Sequence, residues 1–190
     1  MAAACSGSFA QDLKVALVDM KRVFSEYHKT QAAELTVNKD KETAKLALDE
    51  RSAKYKSLVE TFRELSAELR DAALSEEVRD AKTKETANVA SEAKSLEREI
   101  AELGERCERQ LQETVLRLRQ GILEEISAAA QKRAREGAYD LVFDKSGLSM
   151  NGVNFLLHSK DAVDISDELI AELNRGVPAA ERAGAASPKQ

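Results

Sequence analysis

The chain has 190 residues, with 29 Lys and Arg against 34 Asp and Glu, so it carries no surplus positive charge to offer nucleic acid. Ala, Glu, Lys, Leu and Arg make up roughly half of the chain, the composition of long helices and coiled coils, while Leu, Ile, Val and Phe reach only about a fifth, near the floor for a packed core. One compact globule of this length is therefore excluded, and no run approaches the roughly 20 apolar residues that span a bilayer.

Residues 1–13 read as a processed or disordered N-terminal segment. Lys14 to Asp19, KVALVD, is a short β-rich apolar run, which predicts a strand, and Asp19 is the expected N-cap of the helix that follows. From Met20 to Ala73 there is no Gly or Pro, so one long helix is expected. Its residues Tyr55, Leu58, Phe62, Leu65, Leu69 and Ala72 recur at steps of three and four, a coiled-coil seam. Asp71 to Ser75 interrupts it. Ser75, followed by Glu76 and Glu77, is the expected start of a second helix running to about Glu136. That helix carries the stripe Leu96, Ile100, Leu103, Cys107, Leu111, Val115, Leu118, Ile122, Ile126, Ala129. The steps average nearer 3.67 than 3.5, roughly the period of a straight or slightly right-handed helix. Gly104 and Gly121 are candidate bending points and Gly137 the expected C-cap.

Beyond the cap, Tyr139 to Asp144 (YDLVFD), Leu148 to Met150 and Val153 to His158 read as short strands, the last two joined by an Asn151-Gly152 hairpin turn. A final helix is expected from Ser166 to Asn174, capped by Ser166 or Asp164 and stopped by Gly176 and Pro178. Residues 177–190 read as a loose tail.

The fold class is therefore α+β: a long antiparallel helical hairpin (20–137, tip near 71–76) on a small β body (14–19 and 138–176). Because the first strand enters the base of one helix and the next leaves the base of the other, an antiparallel pairing of the two is expected. Three short strands and one short helix make too small a core alone, and the strands are apolar on both faces. Val15, Leu17, Leu141, Phe143, Phe155 and Leu157 are the candidate oligomer interface, in an obligate homo-oligomer.

No catalytic constellation is present: His28 and His158 lie on different elements, and the carboxylates are spread among Lys and Arg as on a solvated helix face. Neither histidine is expected to act as a ligand. Cys5 and Cys107 have no Cys or His at metal-ligand spacing. A bridge between them is excluded by reach: Cys107 is about 45 Å from the helix end near Gly137, while the tail before Lys14 extends about 30 Å. Cys107 reads as a small apolar residue of the seam. Neither metal nor cofactor is expected, and an enzyme is the least favoured class.

The order of strand, helical hairpin, strands and short helix, with KVALVDMKRVF at one end and YDLVFDKSGLSMNGV and DISDELIAELN at the other, resembles the Skp/OmpH family of periplasmic chaperones over Lys14 to Asn174. The resemblance implies a homotrimer with a shared β body whose helical arms enclose a cavity. It also implies an ATP-independent holdase for unfolded outer-membrane β-barrel proteins on their way to the outer membrane. A holdase needs many weak contacts, and the candidate client-binding patch is at the hairpin tip: Leu69, Ala72, Ala73, Leu74 and Val78. The same residues serve equally well to close the hairpin. Well-known members have strongly basic arms suited to lipopolysaccharide. The arms here are nearly balanced in charge, so no lipopolysaccharide-binding residue is carried over.

A periplasmic location requires an export signal. MAAACSGSFAQD lacks a basic n-region and an apolar h-region, yet Ser8 and Ala10 suit a signal-peptidase site before Gln11, which points to a start upstream. Ala-Ala-Ala-Cys5 also resembles the end of a lipobox, which would lipidate Cys5; otherwise membrane contact is only indirect. The rival reading is a structural coiled-coil spacer or scaffold of the cell envelope, disfavoured by strands at both ends that a spacer does not need. A prefoldin-like chaperone is disfavoured by chain order, since there the helices flank the strands.

Overall fold

The computed structural model describes residues 13–160 and 162–178. The expectations for Cys5, for a signal-peptidase site and for the end of the tail lie outside these residues. The elements in chain order are β1 (Val15–Val18), α1 (Met20–Glu26), α2 (His28–Glu68), α3 (Glu76–Glu136), β2 (Leu141–Asp144), β3 (Val163–Asp164) and α4 (Ser166–Leu173). The class is α+β, as expected. The chain divides into two compact units, one holding the residues up to Glu34 and from Arg117 onward, the other Leu35–Leu116.

In the first unit the sheet has the order β2-β1-β3 and every pairing is parallel. The register sets Val15 beside Leu141 and Leu17 beside Phe143, with Ala16 beside Val163 on the other edge. The antiparallel expectation is thus corrected, and the cause lies in the last turns of α3. Ile122, Ile126 and Ala130 are buried in one core with Ala16, Val18, Val23, Tyr27, Ile165 and Leu169. By packing across the sheet, α3 carries the chain past β1 and returns it at the strand's beginning rather than its end. There Lys14 Nζ donates to the Gly137 carbonyl at 2.6 Å, and the Asp140 amide to the Lys14 carbonyl at 2.8 Å. The helical hairpin is therefore the crossover that a parallel pair requires. The core that three strands and one helix could not supply is completed by these α3 residues and by Tyr27.

Asp19 caps α1 as expected, its Oδ1 accepting from the Arg22 amide at 2.9 Å. The first helix is not continuous, however. It breaks at Tyr27, which is extended (φ −76°, ψ 126°), and it ends at Glu68 rather than near Ala73. The strands expected at 148–150 and 153–158 shrink to a single Leu148–Asn154 bridge around the three-residue loop Met150-Asn151-Gly152. The loop closes through Ser149 N to Val153 O and Gly152 N to Ser149 O, at 2.8 and 2.9 Å, with Gly152 left-handed at φ 74°. In α4 the Asp164 carboxylate accepts from the Ser166 amide at 2.9 Å, but the N-cap residue itself is Ile165, which offers no side-chain bond. Gly176, at φ 84°, follows the helix.

In the second unit, α2 and α3 run antiparallel, joined by ion pairs of Lys54 with Glu92 and of Lys82 with Glu68. Between Leu35 and Leu116 only Leu65, Ala93 and Leu96 are fully buried. The seam continues through half-buried Val37, Ala44, Ala47 and Leu48, small residues whose periodicity is masked by neighbouring charges, and Cys107 is also half-buried.

The end of α3 departs instructively from expectation. The left-handed residue is Ala138 (φ 48°), not Gly137. Tyr139 N to Ala134 O and Ala138 N to Arg135 O, at 3.0 and 3.2 Å, form a Schellman motif with Ala138 in the position that favours glycine. Gly137 has another role: a Cβ there would collide with the Tyr139 ring. Ala138→Gly should therefore raise stability by about 1 kcal/mol, since an L-residue pays roughly that much in the left-handed region, whereas Gly137→Ala should lower it. Urea midpoints of the two variants measure both signs.

Candidate functional site

β2 alternates in exposure, whereas β1, the middle strand, is buried from Ala16 to Val18. Ala16, Val18 and Val142 face the core. Leu141 and Phe143 on the opposite side remain 42% and 37% exposed. Val15 is half-buried and Leu17 is already covered within its own chain. The hairpin after β2 adds Phe155 and Leu157, more than three-quarters exposed, with Leu148, Met150 and Val153 exposed beside them in sequence. These are many large apolar side chains to leave in water on a unit of this size. Met150 and Val153 were legible in the same apolar runs as Phe155 and Leu157.

At the tip, Leu69 and Leu74 are half-buried, while Ala72, Ala73 and Val78 are exposed. The turn is held by Arg79, whose guanidinium donates to the carbonyls of Leu69 and Asp71 at 2.9 and 2.8 Å. These carbonyls follow the end of α2, in the link to α3. Asp71 Oδ1 accepts from the Ala73 amide at 2.9 Å, and the Ser75 hydroxyl from Val78 N at 3.4 Å. Leu69, Ala72, Ala73 and Leu74 thus lie on the link between α2 and α3, and Val78 in the first turn of α3, with the backbone there held by polar bonds that do not use these five side chains.

The charged groups of the first unit are mostly paired. Tyr27, 4% exposed, donates its hydroxyl to Glu125 at 2.5 Å, and Lys29 reaches both oxygens of the same carboxylate at 2.7 Å. Hydrogen bonds from Lys29 and Tyr27 lower the pKa of Glu125. Burial, then the Glu125 partner, raises that of Tyr27. His28 is a structural residue, its Nδ1 3.0 Å from Asn174 Oδ1, and His158 is exposed. A cleft of about 300 Å3 lies where α3 ends beside α4, lined by Lys132, Arg133, Glu136, Glu168, Glu172 and Arg175. Its three cations face three anions, with Lys132 bonded to Glu172 at 2.5 Å and Arg133 paired with Glu168, so it carries no net charge to attract an ionic ligand. Among the described residues no group of three or more His, Cys, Asp or Glu is placed to hold a metal ion, and no helix is long and apolar enough to cross a membrane.

Asp164 joins β3 to the loop after β2 through Lys145, at 2.6 Å, and also accepts the Ser166 hydroxyl at 2.6 Å. Burial opposes its charge, but Lys145 and both Ser166 donors outweigh that and bring its pKa from 3.8 to about 2. A carboxylate depressed on folding stabilises the fold above its ordinary pKa of about 4, and the contribution is lost as pH falls toward the folded value. Asp164→Asn should accordingly show a smaller fall in urea midpoint between about pH 4 and pH 2 than the parent chain, at low salt. An unchanged fall would mean that folding does not hold the Asp164 carboxyl below its ordinary pKa.

The family model described as "Outer membrane protein (OmpH-like)" matches residues 14–173, a span that includes both units. No curated protein matches the chain.

Proposed function

The chain belongs to the OmpH-like family, and from that premise we propose that it is an ATP-independent holdase of the periplasm, a homotrimer that keeps unfolded outer-membrane β-barrel proteins from aggregating. The observation that carries the reading is the family match across β1, both long helices, β2 and α4. The distribution of apolar surface supports it. The open side of the sheet and the segment bearing Phe155 and Leu157 supply the contact by which copies associate through Val15, Leu17, Leu141, Phe143, Phe155 and Leu157. Leu17 contributes from within its own chain's packing.

The helical hairpin supports the client-binding half of the reading. Its seam is half-open along most of its length, and it offers many small contacts rather than one deep pocket. An unfolded barrel protein exposes alternating apolar side chains along its strands. Scattered weak contacts suit such a client, because they demand no fixed shape and are released without a chemical step. The patch Leu69, Ala72, Ala73, Leu74 and Val78 is the proposed first contact. Nearly balanced charge on the helices makes capture depend on apolar contact more than on long-range attraction, so salt should affect it little. The chain acts in this reading without substrate turnover, cofactor or metal.

The test is light scattering from a urea-unfolded outer-membrane β-barrel protein diluted into buffer without detergent or nucleotide. The chain should suppress aggregation at about one trimer per client. A variant carrying Ala73→Glu and Leu74→Glu should keep the trimer mass yet lose at least tenfold in client affinity, about 1.4 kcal/mol. Phe143→Glu with Phe155→Glu should reduce the mass to that of one chain and abolish suppression. Undiminished affinity in the tip variant would remove the patch from the reading, and an unchanged mass in the second would remove the interface.

A further inference from the structure

From Met20 to Leu69 the chain contains neither Gly nor Pro, yet the helix stops at Glu26 and restarts at His28. In an uninterrupted helix the Glu26 carbonyl would accept from the Thr30 amide, and the His28 amide would donate to the Phe24 carbonyl. Here Thr30 N instead donates to the Tyr27 carbonyl at 2.9 Å. Both displaced groups turn to one side chain. Asn174 Nδ2 donates to the Glu26 carbonyl at 2.9 Å, and Asn174 Oδ1 accepts from the His28 amide at 2.9 Å. Asn174 is 4% exposed and ends α4, its own amide donating to the Ile170 carbonyl at 3.0 Å.

The broken form has a gain and a cost. It buries Tyr27 in the core with Ile122 and Ile126 and lets its hydroxyl reach Glu125. In return, the Thr30 hydroxyl and Gln31 Oε1 are buried without a hydrogen-bond partner among the described residues. Unpaired buried polar atoms are destabilising. In a continuous helix a threonine hydroxyl can return to the carbonyl four residues back, which for Thr30 is that of Glu26. The continuous helix would thus satisfy internally the Glu26 carbonyl and His28 amide that Asn174 serves in the broken one, and the Thr30 hydroxyl that the broken one leaves unpaired.

We propose that the α1–α2 junction is a two-state element, broken or continuous, and that Asn174 is the clasp by which the C-terminal helix selects the broken form. Release of α4 lets residues 24–30 anneal into one helix and draws Tyr27 from its buried position. α4 is eight residues long and lacks a side-chain bond from its N-cap residue; Leu169, with no exposed surface, is its anchor in the core, and the ion pairs Arg22–Asp167, Lys132–Glu172 and Arg133–Glu168 tie its flanks. Such pairs, largely in water, hold weakly and are screened by salt. This device does not depend on the chaperone reading.

The experiment is NMR of the full chain with labelled tyrosine, which gives only three residues to assign, Tyr27, Tyr55 and Tyr139, together with amide exchange. In the parent chain the Tyr27 Cα shift should fall in the extended range. In Asn174→Ala it should move to the helical range while the His28 and Thr30 amides stay protected, having taken up the Phe24 and Glu26 carbonyls. A Tyr27 that stays extended, or amides 28 and 30 that exchange freely, would overturn the proposal, since the clasp would then be irrelevant or its loss would only fray the chain. If the alanine variant does not fold, Asn174→Asp decides. It keeps the size and the acceptor for His28 but cannot donate to Glu26, and it should shift Tyr27 in the same direction; no shift would overturn the clasp.

Discussion

Ile126 has no exposed surface, and it shares a core with Ala16 and Val18 of β1, Val23 of α1 and Ile165 and Leu169 at the start of α4. That contact governs the rest of the first unit. Burying an isoleucine completely contributes about 2 to 3 kcal/mol, and α3 can bury it there only by lying across the sheet. Lying across the sheet delivers the chain to Lys14, which makes β2 parallel to β1. The parallel register then leaves Leu141 and Phe143 together on the side away from the helices. The surface proposed for assembly is therefore a consequence of where α3 packs, and the amphipathic base of that helix does two tasks, closing a core on one side of the sheet and opening an apolar face on the other.

The polar interactions follow the same division. Where the helices pack into the sheet unit, side chains reach across long sequence distances: Lys29 and Tyr27 to Glu125, Asn174 to Glu26 and His28, Asp164 to Lys145. In Leu35–Leu116 the ion pairs are exposed and few side chains are fully buried. Exposed pairs are worth little each, so that stretch depends on a thin apolar seam. Marginal pairing of this kind would suit the client contact proposed for these helices, whereas the residues around the sheet carry the long-range polar bonds.

Local chemistry was legible in the sequence wherever it is local. Asp19 as a cap, the interruption before Glu76, the end of α3 at Glu136 and the span of α4 follow from residues within one turn of each boundary. What was hidden is what depends on distant partners. The break at Tyr27 has its reason in Asn174, 146 residues beyond His28, so no window around Tyr27 contains it. The strand direction is not legible in the sequence because Ile122 and Ile126 continue the seam pattern of α3 without a gap, and periodicity cannot tell packing on a helix from packing on a sheet. β3 is two residues long and leaves no pattern. Gly137 drew attention as a cap, while the residue that turns the chain is Ala138. For the candidate surfaces, Phe143, Phe155 and Leu157 stood out as apolar strand residues with no cover. The covering of Leu17 within its own chain was not legible, because it depends on the parallel packing.

Whether copies of this chain assemble and hold an unfolded outer-membrane protein in solution is decided by molar mass. A urea-unfolded barrel protein is diluted into the purified chain without detergent, and the mixture is passed through size exclusion with light scattering. One soluble species with the mass of a trimer plus one client is expected. A client that precipitates while this protein elutes alone would contradict it, and a scaffold role for the long helices would then be the reading to pursue.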